Sequence, residues 1–175
     1  SPDTPRLSQE PPSFDGEAAY ADLKTIVEDF PQRVAGTDPD ARMAIWVEEQ
    51  FRAAGLETHI DPFAATVNGK DVALQNVWGV SAGRRRGTTM VLANRDVPPL
   101  ATQGAGDNAS GVAALIGLAD AFSVTAHEHT LIFLCTTGDA FGALGARQAN
   151  AAAYVFQRTL YPYLQVHGVT DWSPR

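Results

Sequence analysis

A chain of 175 residues, 45% of them hydrophobic, is long enough for one well-filled core and short for two, so a single globular domain is expected. The net charge of −7 arises within residues 1–70, where 13 acids face 6 bases, and that acidity argues against nucleic acid as a partner. Cys135 is the only cysteine, so no internal disulfide can form, and no apolar run approaches the ~18 residues that a membrane span needs.

The first residues, Ser-Pro-Asp-Thr-Pro-Arg-Leu-Ser-Gln-Glu-Pro-Pro, have neither a basic nor an apolar leader segment. Residues 1–13 read as a linker, either the scar of a removed signal or the stalk after an anchor. Leu23, Ile26, Val27 and Phe30 fall on one face of a helix over residues 17–30, which Pro31 stops. In Arg33-Val-Ala-Gly-Thr-Asp-Pro-Asp40, Thr37 or Asp38 is a cap and Pro39 suits a first turn, so a second helix is predicted over 39–54, closed by Gly55.

Residues 56–63, 72–81 and 88–94 are strand-like, and the last is a continuous apolar run suited to a central strand. Arg84-Arg85-Arg86, between two of these runs, reads as a solvated hairpin turn. A helix over 109–122 is apolar nearly all round, which predicts burial by surrounding layers. A strand over 130–136 follows, then the loop Thr137-Gly-Asp-Ala-Phe-Gly142 and an Ala-rich helical stretch to about residue 158. His127 and His129, flanking Glu128, read as solvent-facing, and His59 as an outward position on an edge strand. The alternation predicts an α/β domain over 14–148, with a mixed, mostly parallel sheet. Residues 149–175, with Tyr154, Phe156, Tyr161, Tyr163 and Trp172, form a C-terminal segment expected to pack on the domain or on a partner.

In such sheets ligands bind in loops beyond the carboxyl ends of strands, where residues 94–107 and 138–142 fall, so the two loops are expected to face one another. Gly104-Ala-Gly106-Asp-Asn-Ala109 fits a loose dinucleotide fingerprint. About ten residues separate it from its strand, however, and Asp107 would oppose a pyrophosphate at the helix start. Ser110 lacks a Gly-x-Ser-x-Gly elbow and reads as part of the helix start. Two carboxylates in paired loops, Asp96 and Asp107, are what a two-cation site would use. A structural reading of the same residues has Gly104 and Gly106 permitting the turn, Asp107 or Asn108 capping the helix, and Gly111 allowing close packing.

Several segments together carry a resemblance: Arg33-Val-Ala-Gly-Thr, Ala53-Ala-Gly-Leu-Glu-Thr, Gln75-Asn-Val-Trp-Gly-Val, Gly104-Ala-Gly-Asp-Asn-Ala-Ser-Gly-Val-Ala-Ala-Leu and Phe141-Gly-Ala-Leu-Gly-Ala. From about Phe14 to about Arg147 the chain resembles metallopeptidase family twenty-eight. That family comprises co-catalytic zinc aminopeptidases, with glutamate carboxypeptidase, glutaminyl cyclase and the non-enzymatic transferrin receptor and nicastrin ectodomains among the relatives. The resemblance implies a three-layer sandwich with helices on both sheet faces. It also gives Asp107 the place of the carboxylate that bridges two zinc ions, and Asp96 the place of the carboxylate that orients the site from behind the ligands.

Other matching positions depart from the pattern. Asn94 stands where the family has a ligand His. Asp139 stands at the general-base glutamate, one methylene shorter, and Ala140 at a glutamate ligand. The family's later Asp and His ligands have no convincing match after residue 148; His167 lacks the expected surroundings. The resemblance therefore implies a degenerate, truncated, non-catalytic binding or assembly module that holds no cofactor. Protein or membrane-complex partners and an extracytoplasmic setting are expected by analogy with the ectodomain relatives. The alternative is an active aminopeptidase that binds zinc and takes peptide substrates.

Overall fold

The computed structural model describes residues 10–85 and 87–150. Helices α1 (Gly16–Asp29) and α2 (Asp38–Ala53) precede strands β1 (Glu57–Val67), β2 (Lys70–Ser81) and β3 (Thr88–Asn94); α3 (Ser110–Ser123) and β4 (Thr130–Thr136) follow. The Asp15 carboxylate starts α1 by accepting from the amides of Glu17 and Ala18, each at 3.0 Å. Thr37 occupies the cap position of α2, but its hydroxyl donates to the Val34 carbonyl at 2.6 Å.

Apolar patterning placed the elements to within a residue or two, except that β1 and β2 are longer than expected. They meet at a two-residue Asn68-Gly69 turn with φ of 51° and 74°, the conformation that tight hairpins favour. The sheet order is β1-β2-β4-β3. Only the β3–β4 pairing is parallel, while β1–β2 and β2–β4 are antiparallel. The expected mixed sheet is present, but among the described strands parallel pairing does not predominate. β3 is an edge of this four-stranded sheet, and the Arg84-Arg85 turn is no hairpin, because it carries the chain past the start of β4 to β4's far side.

Strand alternation divides the sheet into two faces. On one face Ile60, Val77, Val91, Ala93, Phe133 and Cys135 pack under α1, α2 and α3 with Ile26, Met43, Val47, Phe51, Leu115 and Ile116, which form the main core. On the other face Trp78, Val80, Ile132 and Leu134 form a second buried cluster with Ala149, which belongs to a helical stretch over residues 144–150. The expected layers on both sides of the sheet are therefore present. The rest of the expected Ala-rich helix, to residue 158, lies outside the described residues, as do residues 1–9 of the expected linker.

Candidate functional site

Both loops expected to face one another sit at the carboxyl ends of the parallel pair β3 and β4, and buried side chains bind them together. Asp96, 1% exposed, accepts from the amides of Asp139 (3.1 Å) and Ala140 (3.3 Å), so its carboxylate anchors the turn after β4 to the loop after β3.

Two buried arginines, whose roles the sequence reading did not assign, set the loops in position. The Arg33 guanidinium donates to the carbonyls of Arg95 (2.6 Å), Gln103 (2.5 Å) and Gly104 (2.8 Å). It thereby ties the turn after α1 to the segment that carries Asp107. Burial lowers the Arg33 pKa, and Asp96 with other nearby acids opposes that shift; a guanidinium still stays protonated. Arg95 pairs with Asp40 at 2.9 Å inside the core and donates to the Asp40 and Gln75 carbonyls. Asp40 also accepts from the Gly36 amide (3.1 Å) and the Thr137 hydroxyl (2.9 Å). Every partner of the Asp40 carboxylate comes from a different element or loop. Burial pulls the Asp40 pKa upward, and Arg95, the Gly36 amide and the Thr137 hydroxyl oppose that shift.

Gly104, at φ 58°, turns the chain; a Cβ there would lie 2.3 Å from the Val97 side chain and 2.6 Å from the Asp107 carbonyl. Asp107 and Asn108 then adopt non-helical angles within a π-type turn (Ala105–Ala109), joined by a cis peptide bond. Neither caps α3, whose first turn has no side-chain cap, so the capping expectation is corrected. Gly106 has neither a positive φ nor crowding, so the role expected for it is not found. Ser110 is exposed, its hydroxyl directed to the Gly106 carbonyl at 3.3 Å.

The Asn108 amide nitrogen instead donates to the side-chain oxygen of Asn94 (2.9 Å) and to its carbonyl (3.2 Å). Gly111 makes room for this contact: a Cβ on it would lie 2.3 Å from the Asn108 side-chain oxygen. Asp107 and Asp139 are exposed, as is Ala140. The loops thus present two carboxylates to solvent above a floor of Asn94, Asn108 and Asp96.

Residues 76–160 match Peptidase family M28. The chain is related to that family. It is 26% identical to the alkaline phosphatase isozyme conversion protein of Escherichia coli (strain K12), over 75% of this chain and 44% of that one. Among solved structures it resembles glutaminyl cyclase of an Acidobacteriales bacterium, with a TM-score of 0.74 and 19% identity over 91% of this chain and 59% of that one. It also resembles the Bacillus subtilis zinc aminopeptidase BSAP, with a TM-score of 0.70 and 12% identity over 78% and 64% of the two chains. The chain thus spans only 44% to 64% of the length of these relatives. The structural likenesses establish the aminopeptidase-type fold.

A zinc ion in an M28-like site would draw on about four nitrogen, sulfur or oxygen donors. Of the matched positions, Asn94 offers a neutral amide oxygen already engaged by Asn108, Ala140 offers a methyl group, and Asp107 a carboxylate. Among the described residues no three or more His, Cys, Asp or Glu side chains are grouped to hold a metal.

His59 is exposed on edge strand β1, as expected. His127 departs from its expected solvent exposure: it is half-buried, its Nε2 2.8 Å from the Ser81 hydroxyl and its Nδ1 2.6 Å from the His129 carbonyl. Away from the loops, Asp22 of α1 and Asp120 of α3 line a cleft of about 270 Å³. Burial raises the pKa of both, and for Asp22 the charge of Asp120 adds to the effect.

Proposed function

We propose that this chain is a zinc-peptidase-like domain without hydrolytic activity of its own, acting as a binding or assembly module. One observation carries the reading. Asn94 takes the place of a ligand imidazole, and its amide oxygen already accepts from Asn108 at 2.9 Å. A neutral amide is a weak zinc donor beside an imidazole, and this one would have to surrender an internal hydrogen bond to bind. Ala140 removes a further donor, leaving Asp107 as the surviving match among the ligand positions.

Under this reading the Asp107 and Asp139 loops form a recognition surface. They stand exposed on a braced scaffold, an arrangement suited to rigid-body contact with a protein partner. Extracytoplasmic placement and attachment to a membrane complex belong to the same proposal and rest on the ectodomain relatives.

Elemental analysis of the purified chain, combined with a chromogenic aminoacyl substrate, tests the proposal. The expected result is zinc well below one ion per chain and no turnover above the buffer rate. Stoichiometric zinc, with turnover lost in Asp107→Ala, would overturn it and establish a metal-dependent aminopeptidase. Saturable dinucleotide binding weakened by Gly106→Val would replace it with a nucleotide-binding reading.

A further inference from the structure

At the opposite end of the sheet from the Asp107 loop, the end of β2 meets the segment that leads into β4. Ser81 is the last residue of β2, and its hydroxyl lies 2.8 Å from His127 Nε2. His127 Nδ1 lies 2.6 Å from the His129 carbonyl oxygen. A carbonyl oxygen can only accept, so Nδ1 carries the proton that it donates. In the neutral imidazole Nε2 then has its lone pair facing Ser81, and the Ser81 hydroxyl donates to it. Nucleophile, base and orienting acceptor stand in line, with a backbone carbonyl in the place that a carboxylate takes in a serine hydrolase.

Three backbone links fix this arrangement. The Arg84 amide donates to the His127 carbonyl (3.3 Å), the Arg85 amide to the Glu128 carbonyl (2.7 Å) and the Thr130 amide to the Gly87 carbonyl (3.0 Å). Residues 127–130 are therefore laced to the turn after β2, which holds the backbone that carries the imidazole, while the contacts of its two nitrogens orient the ring. Ser81 and His127 are both half-buried, so neither residue is sealed inside the core. Arg84 and Arg85 are exposed on the same turn, where Arg85 is paired with Glu128 at 3.7 Å. β4 has seven residues, so the pair lies roughly 20 Å from the Asp107 loop at about 3.3 Å per residue.

We propose that Ser81 is a nucleophile toward carboxylic esters, with His127 as its general base, at a site separate from the M28-like loops. In the first step the Ser81 oxygen bonds to the ester carbonyl carbon while its proton passes to His127 Nε2. The carbon–oxygen bond to the alcohol then breaks, and the imidazolium returns that proton to the departing alkoxide. Water, deprotonated by His127, cleaves the acyl-serine ester and regenerates both groups. The neutral acceptor at Nδ1 stabilises an imidazolium less than a carboxylate would, so turnover is expected to be slow and trapping of the first step is the sensitive readout.

The test is reaction with a fluorophosphonate probe, in which the Ser81 oxygen–phosphorus bond forms, fluoride leaves and the proton goes to His127. Modified serines are located and timed by peptide mass spectrometry. Exposed Ser110 is the internal reference, because its hydroxyl faces a backbone carbonyl with no base beside it. Wild-type Ser81 is expected to react on the order of 100-fold faster than Ser110, the lower range of general-base assistance. His127→Gln is expected to bring Ser81 down to the Ser110 rate. Equal rates at Ser81 and Ser110 in the wild-type chain would overturn the proposal without reference to any variant. An undiminished Ser81 rate in folded His127→Gln would overturn the role of the base. Neither result bears on zinc content or aminopeptidase turnover, so this inference and the proposed function fail independently.

Discussion

Replacing Arg33 with Met tests whether the site is held by buried cationic hydrogen bonds. The substitution keeps much of the stem's volume and removes three short donations of 2.6, 2.5 and 2.8 Å and a longer one of 3.5 Å to the Phe30 carbonyl. Hydrogen bonds from a charged donor contribute about 1.5–3 kcal/mol each. Relief from burying the guanidinium offsets part of that sum, so the expected net loss is about 3–5 kcal/mol, as for other broken buried charge networks. Against a total stability of about 5–15 kcal/mol the loss is large. With a urea slope of about 2 kcal/mol/M it moves the unfolding midpoint by about 2 M while the slope stays unchanged. Arg42→Met is the control, since Arg42 meets Asp38 at 3.0 Å on an exposed helix face, where such pairs contribute below about 1 kcal/mol. Midpoints for Arg33→Met and Arg42→Met that agree within experimental error would refute the bracing argument.

Gly111→Ala drives a methyl into the Asn108 side chain at 2.3 Å; the expected cost is about 1–3 kcal/mol in urea unfolding, and wild-type stability would refute the packing account. Asp120 has its folded pKa raised by burial, so the folded state binds more protons than the unfolded chain and stability falls as pH rises through the window above the ordinary carboxylate range. Asp120→Asn is therefore expected to raise Tm at pH 7 and to match wild type at pH 3, and an equal shift at both values would contradict the sign. Burial pushes the Cys135 thiol up to about 11, so an aromatic disulfide reagent at pH 8 is expected to label it only after unfolding. Rapid labelling of the native chain would show the thiol to be accessible.

Much of the element list was legible because periodicity reports on one face at a time. The nearly all-apolar α3 is buried along most of its length, as its composition demands, whereas the apolar run Thr88–Asn94 misled: it is an edge strand whose Met90 and Leu92 are exposed. Strand partners were not legible: β2 is apolar on both faces near its end, and nothing in that pattern says that β4 pairs beside it antiparallel. The Asn68-Gly69 pair was a hairpin signal that could have lengthened β1 and β2. Arg33 and Arg95 resembled ordinary solvated charges; their burial at 0% exposure, which obliges a charge to be internally paired, became visible only in the structure. The failed caps at Asp107 and Asn108 have a local cause. The π-type turn leaves Ala109 at the cap position of α3, and the Asn108 side chain is engaged by Asn94, so composition at a helix start misled. The likeness at Asp107, Asp96 and Asp139 was readable from motif alone, whereas the Asn94–Asn108 contact required coordinates.

The braces also order events in time. Arg33 reaches partners 62, 70 and 71 residues further on, and Asp40 meets Thr137 across 97 residues. Contacts of such separation close late, after the entropy of long loops has been overcome. On a ribosome the two loops therefore cannot reach their mutual arrangement until the chain past residue 140 has emerged, and a nascent fragment ending before β4 would display Asp107 on an unfastened segment.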